Sequence, residues 1–269
     1  MGRTKTKSKK PLIKLLIGLS ALLLVLVSLL PLLPHLKPQA PPPTQATVPP
    51  PSYENIRFTY DDRGFLTSEY IACIPGIDVS YHQGQINWET VKAAGVEFAM
   101  IRLGYRSYKD GLLHTDPRAE ENLRGAKAAG LKIGAYFFSQ ATSPAQAEEE
   151  AQYALSILGD TKLDLPLAFD WEYVNDDVPS AQVTEEVLEQ CVRSFCDTVK
   201  QAGHESMVYF NQDLAKTRLD LEQVEEYPFW LAMYSDTLTF SHEIQLWQYS
   251  DNGRVPGIEG NVDLNLYFP

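Results

Sequence analysis

Between Gly76 and Phe210, short apolar runs alternate with segments of helical pattern. Gly76–Ser80, Glu97–Arg102, Lys132–Phe138, Leu165–Trp171 and Ser206–Phe210 read as strands. Asn87–Gly95, Asp116–Ala129, the segment opened by Ser143-Pro144, and Ser180–Ala202 read as helices. Asn87 is an N-cap, Pro144 sits in a first turn, and Gly130 and Gly203 are stops. Phe229–Tyr234, Ile244–Tyr249 and Val262–Leu266 add three strands with little helix between them. Alternation of this kind requires a parallel sheet covered by helices, and eight strands predict a closed barrel. In such barrels the reactive groups stand at the C-terminal ends of strands.

The stretch Leu165-Pro-Leu-Ala-Phe-Asp-Trp-Glu-Tyr173 ends one of these strands in two carboxylates two residues apart. Strand side chains alternate, so Asp170 and Glu172 point to one face, roughly 6–7 Å apart at two rises of about 3.3 Å. An isolated Asp-x-Glu is most simply a solvated loop start. Asp78 and Asp263 also fall late in predicted strands, so four acids converge on one barrel mouth. Paired carboxylates at this spacing are the working parts of glycoside hydrolysis.

Arg102, late in its strand, is a candidate to pair a carboxylate or touch a glycan. Tyr81, Tyr136, Phe138, Trp171, Tyr209, Trp230, Tyr234 and Trp247, with Gln248, are candidate substrate contacts. Sugar rings have apolar faces that pack on aromatic side chains. Ordinary barrel core is the competing role, expected for about half of the aromatic residues near the strand ends. His82 follows the first strand, where a surface-loop role competes equally with substrate contact.

Charge is distributed unevenly. All 35 acidic residues lie at or after Glu54, while seven of the 23 Lys and Arg lie in the first 37 positions. The acidic globular part repels phosphate backbones, so nucleic acid is excluded as a partner. Residues 1–10 form a basic tail expected in the cytoplasm. Residues 11–36 contain the charge-free run Leu15–Leu33, long enough to span a bilayer, and read as a transmembrane signal anchor. A cleaved signal peptide, giving a secreted protein, is the competing reading.

Residues 37–52 are a Pro-rich linker, with seven prolines among positions 38–51, favouring an extended spacer. Residues 53–72 are an extension with a small hairpin, and 73–269 are the main domain. Cys73, Cys191 and Cys196 have no zinc-like spacing and read as small, partly buried apolar residues.

The landmarks Gly76-Ile-Asp-Val-Ser-Tyr-His-Gln83, Ile101-Arg-Leu-Gly-Tyr105, Gly134-Ala-Tyr-Phe-Phe138, Phe169-Asp-Trp-Glu172, Trp230-Leu-Ala-Met-Tyr234, Leu246-Trp-Gln-Tyr-Ser250 and Val262-Asp-Leu-Asn265 together resemble glycoside hydrolase family 25 over roughly residues 75–268. These are lysozymes that cut the β-1,4 bond between N-acetylmuramic acid and N-acetylglucosamine of peptidoglycan. The resemblance implies a TIM-barrel-like (β/α)5(β)3 fold. It places Asp78, Asp170, Glu172 and Asp263 in the active site, and it requires no metal or cofactor. The family often has a His where this chain has Phe137.

Glu172 is the expected general acid/base. Asp170 is either a direct nucleophile or the group that orients the sugar's own N-acetyl for attack; both routes retain configuration. The resulting expectation is a monomeric wall hydrolase, anchored through residues 11–36, with its catalytic domain outside the cytoplasm. A hydrolase of another N-acetylated glycan and a non-catalytic glycan-binding envelope protein are the alternatives.

Overall fold

The computed structural model describes residues 53–269. The basic tail, the anchor and the Pro-rich linker expected from the sequence lie outside the described residues. Within them, no helix is long and apolar enough to cross a membrane.

A short antiparallel pair, β1 (Thr59–Tyr60) and β2 (Leu66–Thr67), precedes the main sheet. Eight strands then close into a barrel: β3 (Ile74–Val79), β4 (Phe98–Arg106), β6 (Lys132–Ser139), β7 (Leu167–Trp171), β8 (Ser206–Asn211), β9 (Phe229–Ala232), β10 (Leu246–Gly253) and β11 (Val262–Tyr267). Neighbours from β3 through β10 run parallel. The last strand, β11, is antiparallel to both β10 and β3 and completes the closure. β5 (Leu113–Thr115) folds back on the end of β4 as a hairpin, an addition the strand pattern did not anticipate.

Five α-helices fall in the first five crossovers: α1 (Trp88–Ala93), α2 (Ala119–Ala128), α3 (Pro144–Leu158), α4 (Glu185–Gln201) and the short α5 (Gln212–Thr217). The three final strands follow without an α-helix between them, giving five β/α units and then three strands.

Strand alternation separates two cores. Outward residues such as Ile77, Ile101, Phe137, Phe169, Val208 and Leu231 pack against the helices. Inward residues Phe98, Met100, Ala168, Met207 and Leu246 plug the barrel's lower half. Gly76 faces inward because a Cβ there would lie 2.3 Å from the Phe98 ring. The plug leaves only the upper end open, at the C-terminal ends of the parallel strands.

Two helix boundaries differ from the sequence reading. The segment Ser180–Ala202 is not one helix: Pro179–Gln182 forms a single 3-10 turn, Val183 is extended, and Thr184 caps α4 by accepting from the Val187 amide. The helix expected from Asp116 begins at Ala119, because the Asp116 carboxylate is turned inward to other partners.

Candidate active site

A cavity of about 210 Å³ occupies the open end of the barrel. Asp78, Arg102, Tyr136, Phe138, Asp170, Glu172, Tyr209, Trp230, Tyr234, Gln248 and Asp263 line it, together with Ser80, His82 and Gln83. All eight barrel strands, with the residues just beyond β3, β7 and β9, supply one site.

Asp170 is the penultimate residue of β7 and Glu172 follows its end, so alternation turns both inward. Asp170 is buried, and its Oδ1 has no hydrogen-bond partner. Burial, then the charges of Glu172 and Asp78, hold the Asp170 carboxyl well above the usual range, with Arg102 opposing. Burial also raises Glu172, the nearby Tyr209 hydroxyl opposes this, and the Asp78 charge adds to the rise. Glu172 therefore favours its protonated form more than an exposed glutamate does.

Asp78 and Asp263 stand directly opposite each other across the β3–β11 pair. The Asp78 Oδ2 accepts from Gln248 Nε2 at 2.8 Å and from Asn265 Nδ2 at 2.7 Å. Burial raises both acids, and the adjacent Asp78 helps push Asp263 up to about 9. Asp263 thus favours its proton, and Asp78, which accepts from two amide donors, is the member better suited to negative charge.

The aromatic wall is fixed by the same network. Gln248 Oε1 accepts from Tyr209 at 3.1 Å and from Tyr234 at 3.2 Å. Trp230 Nε1 donates to Asn265 Oδ1 at 2.9 Å, and its ring meets Tyr136 and Tyr209 edge-on at 5.8 and 4.9 Å. Arg102 Nε donates to buried Asp116 at 2.9 Å. Its guanidinium lies over the Tyr81 and Tyr105 rings at 5.1 and 5.3 Å. Among the described residues, no group of three or more His, Cys, Asp or Glu side chains is arranged to hold a metal ion.

The expected contacts at Trp171 and Trp247 are corrected. Trp171 and Trp247 face the outer core, 1% and 0% exposed, and their indole N–H groups donate to the Ala141 and Met233 carbonyls. Each lies next to an inward residue, Asp170 or Gln248, so strand alternation sends it the other way. Tyr81 stands at the rim of the cavity, 42% exposed, its ring tilted against that of His82. Asn265 and Asp116 were not anticipated. Asn265 is readable two residues from Asp263 on one strand face. Asp116 acts across a fold contact that leaves no local pattern.

The family described as glycosyl hydrolases family 25 matches this chain over residues 77–258. An autolytic lysozyme of Clostridium acetobutylicum is 32% identical over 193 residues, covering 71% of this chain and 55% of that protein. The modular autolysin LytC of Streptococcus pneumoniae, solved in complex with a synthetic peptidoglycan ligand, superposes with a TM-score of 0.66. It is 25% identical, and the match covers 80% of this chain and 52% of that one. A bacterial lysozyme from Streptomyces coelicolor superposes with a TM-score of 0.63 at 28% identity, covering 73% of this chain and 92% of that one. This chain therefore spans about half the length of the first relatives it matches.

Proposed function

The chain belongs to glycosyl hydrolase family 25, and from that membership and the cleft we propose that it is a lysozyme cutting the β-1,4 bond between N-acetylmuramic acid and N-acetylglucosamine with retention of configuration. The observation that carries this reading is the acid pair on β7. Glu172 favours its proton, and Asp170 offers a buried oxygen with no donor.

Glu172 gives its proton to the glycosidic oxygen as the bond to the anomeric carbon breaks. Asp170 Oδ1 accepts the N–H of the 2-acetamido group, whose carbonyl oxygen attacks the anomeric carbon and forms an oxazolinium ring. Water then opens the ring, Glu172 takes the water's proton, and the product keeps its configuration. Between the two roles open to Asp170, the unpartnered Oδ1 favours the orienter. Burial and neighbouring negative charge raise the Asp170 carboxyl, which weakens it as a standing nucleophile, and the positive charge that develops on the acetamido group beside it stabilises its ionised, accepting form. The Asp78–Asp263 pair supplies one fixed negative charge below the cleft. Trp230, Tyr136 and Tyr234 offer faces for the sugar.

The substrate is the glycan strand of the wall. The charge-free run before the domain would hold the protein to a membrane, with the barrel outside the cytoplasm. Digestion of wall from which the N-acetyl groups have been chemically removed tests the acetamido role. The proposal expects such wall to resist cleavage that acetylated wall undergoes; equal cleavage of both would return Asp170 to the nucleophile role.

A further inference from the structure

A second cavity, of about 370 Å³, opens at the same end of the barrel, beside the acid pair. Three segments line it, each leaving the C-terminal end of a neighbouring strand: 106–111 after β4, 140–146 after β6, and 177–180 after β7. Its polar lining is built into the fold. Arg106, Gln140 and Ser180 are each more than nine-tenths buried.

Arg106 donates to Glu150 at 2.7 Å, Glu149 at 2.8 Å, and the carbonyls of Gly111 at 2.8 Å and Gln146 at 3.3 Å, which ties the β4–β5 hairpin to α3. Gln140 Oε1 accepts from Ser180 at 2.5 Å, and its Nε2 donates to the backbone carbonyl of Glu172 at 2.8 Å. The Gln140–Glu172 contact is thus where the second cavity meets the catalytic one.

The reaction described above makes no use of this space, yet its substrate is branched. Muramic acid carries, through the lactyl ether on its C3, a short peptide with free carboxylates and, where a diamino acid is present, an ammonium. In the proposed reaction the sugar occupies the catalytic cavity of about 210 Å³, and the branch leaves it over the neighbouring surface. The charge around the second cavity matches such an arm better than another neutral sugar. Lys109, Asp110 and Asp177 supply charges of both signs on its segments; Asp110 faces His114 at 3.7 Å, while neither Lys109 nor Asp177 forms an ion pair with another described residue.

We infer that this second cavity is a binding site for the peptide arm of muramic acid, with Lys109 taking a carboxylate and Asp177 an ammonium of that arm. The inference rests on the muramidase reading and is separable from it. Kinetics of the full chain, held in mild detergent, are compared on solubilised uncrosslinked peptidoglycan strands and on the same strands stripped of peptide by an amidase. Lys109→Glu and Asp177→Lys change exposed loop positions outside the catalytic cavity.

Each substitution is expected to raise KM on peptide-bearing strands by about fivefold, the scale of one ion pair, while kinetics on stripped strands stay at the parent value. Variants that keep the parent's KM on peptide-bearing strands, or shift both substrates equally, overturn the peptide site and leave the muramidase reading standing. A folded parent that cleaves neither substrate overturns the muramidase reading, and the peptide site with it.

Discussion

At the residue scale, Asp170 and Glu172, two positions apart, carry different tasks. Glu172→Gln removes the proton donor and keeps the shape, so hydrolysis should fall by about 10²–10⁴-fold while glycan binding persists. Turnover and equilibrium binding measured on the same variant check this. A non-catalytic binder would show no turnover to lose.

Because burial raises Glu172, the donor form persists above the pH where an exposed glutamate has ionised. Turnover should hold through mildly acidic pH and decline as Glu172 deprotonates on the alkaline side. A pH–kcat profile rising steadily toward alkali would contradict this assignment. The tryptophans separate in the same way. Trp230→Phe loses the bond to Asn265 and should lower kcat/KM. Trp247→Phe, facing the outer core, should lower the unfolding midpoint and leave kcat/KM of the folded enzyme near the parent value.

At the element scale, β7 shows what local sequence carries and what it does not. Its apolar run ending in two acids was legible because a period of two fixes which side chains share a face. The same parity, carried one residue further, puts Trp171 and Trp247 in the outer core; aromatic content alone gives no facing. The start of α4 was less legible because Pro179 and Thr184 are both plausible openings, and only the Ser180–Gln140 bond and the extended Val183 decide between them. Asp116 was illegible: it receives Arg102 from 14 residues away and the Tyr81 amide from 35.

The Arg106 clamp carries its own prediction. Glu150 is fully buried against β6, and burial outweighs the Arg106 charge, moving its carboxyl from an ordinary 4.5 to about 7. The folded chain therefore keeps a proton that the unfolded chain releases between about pH 4.5 and 7. The stabilising contribution is complete below that window and is lost as pH rises through it, by about 3 kcal/mol. Urea unfolding at pH 5 and 7.5 should show a smaller pH-dependent loss in Glu150→Gln than in the parent. Equal losses would mean that Glu150 ionises alike in both states.

At the scale of the whole molecule, the closed eight-stranded barrel explains why residues from Asp78 to Asp263 act at one point. The β11–β3 pairing brings the last acid against the first. That closure was readable from strand count, whereas the facing of Asp78 and Asp263 required the antiparallel register. The acidic globular part and the charge-free run before it frame the proposed setting, a wall hydrolase held at a membrane. Full-length chain expressed in cells should remain with membranes through alkaline carbonate washing, and deletion of residues 11–36 should release it. Release of the full-length chain by the wash would favour a cleaved signal.

The central claim concerns the bond that is cut. The most direct measurement is reducing-end analysis by mass spectrometry of peptidoglycan digested with the full chain. The account predicts new N-acetylmuramic acid reducing ends, absent from a parallel digest with Glu172→Gln. New N-acetylglucosamine reducing ends, or intact glycan after incubation with demonstrably folded protein, would contradict it.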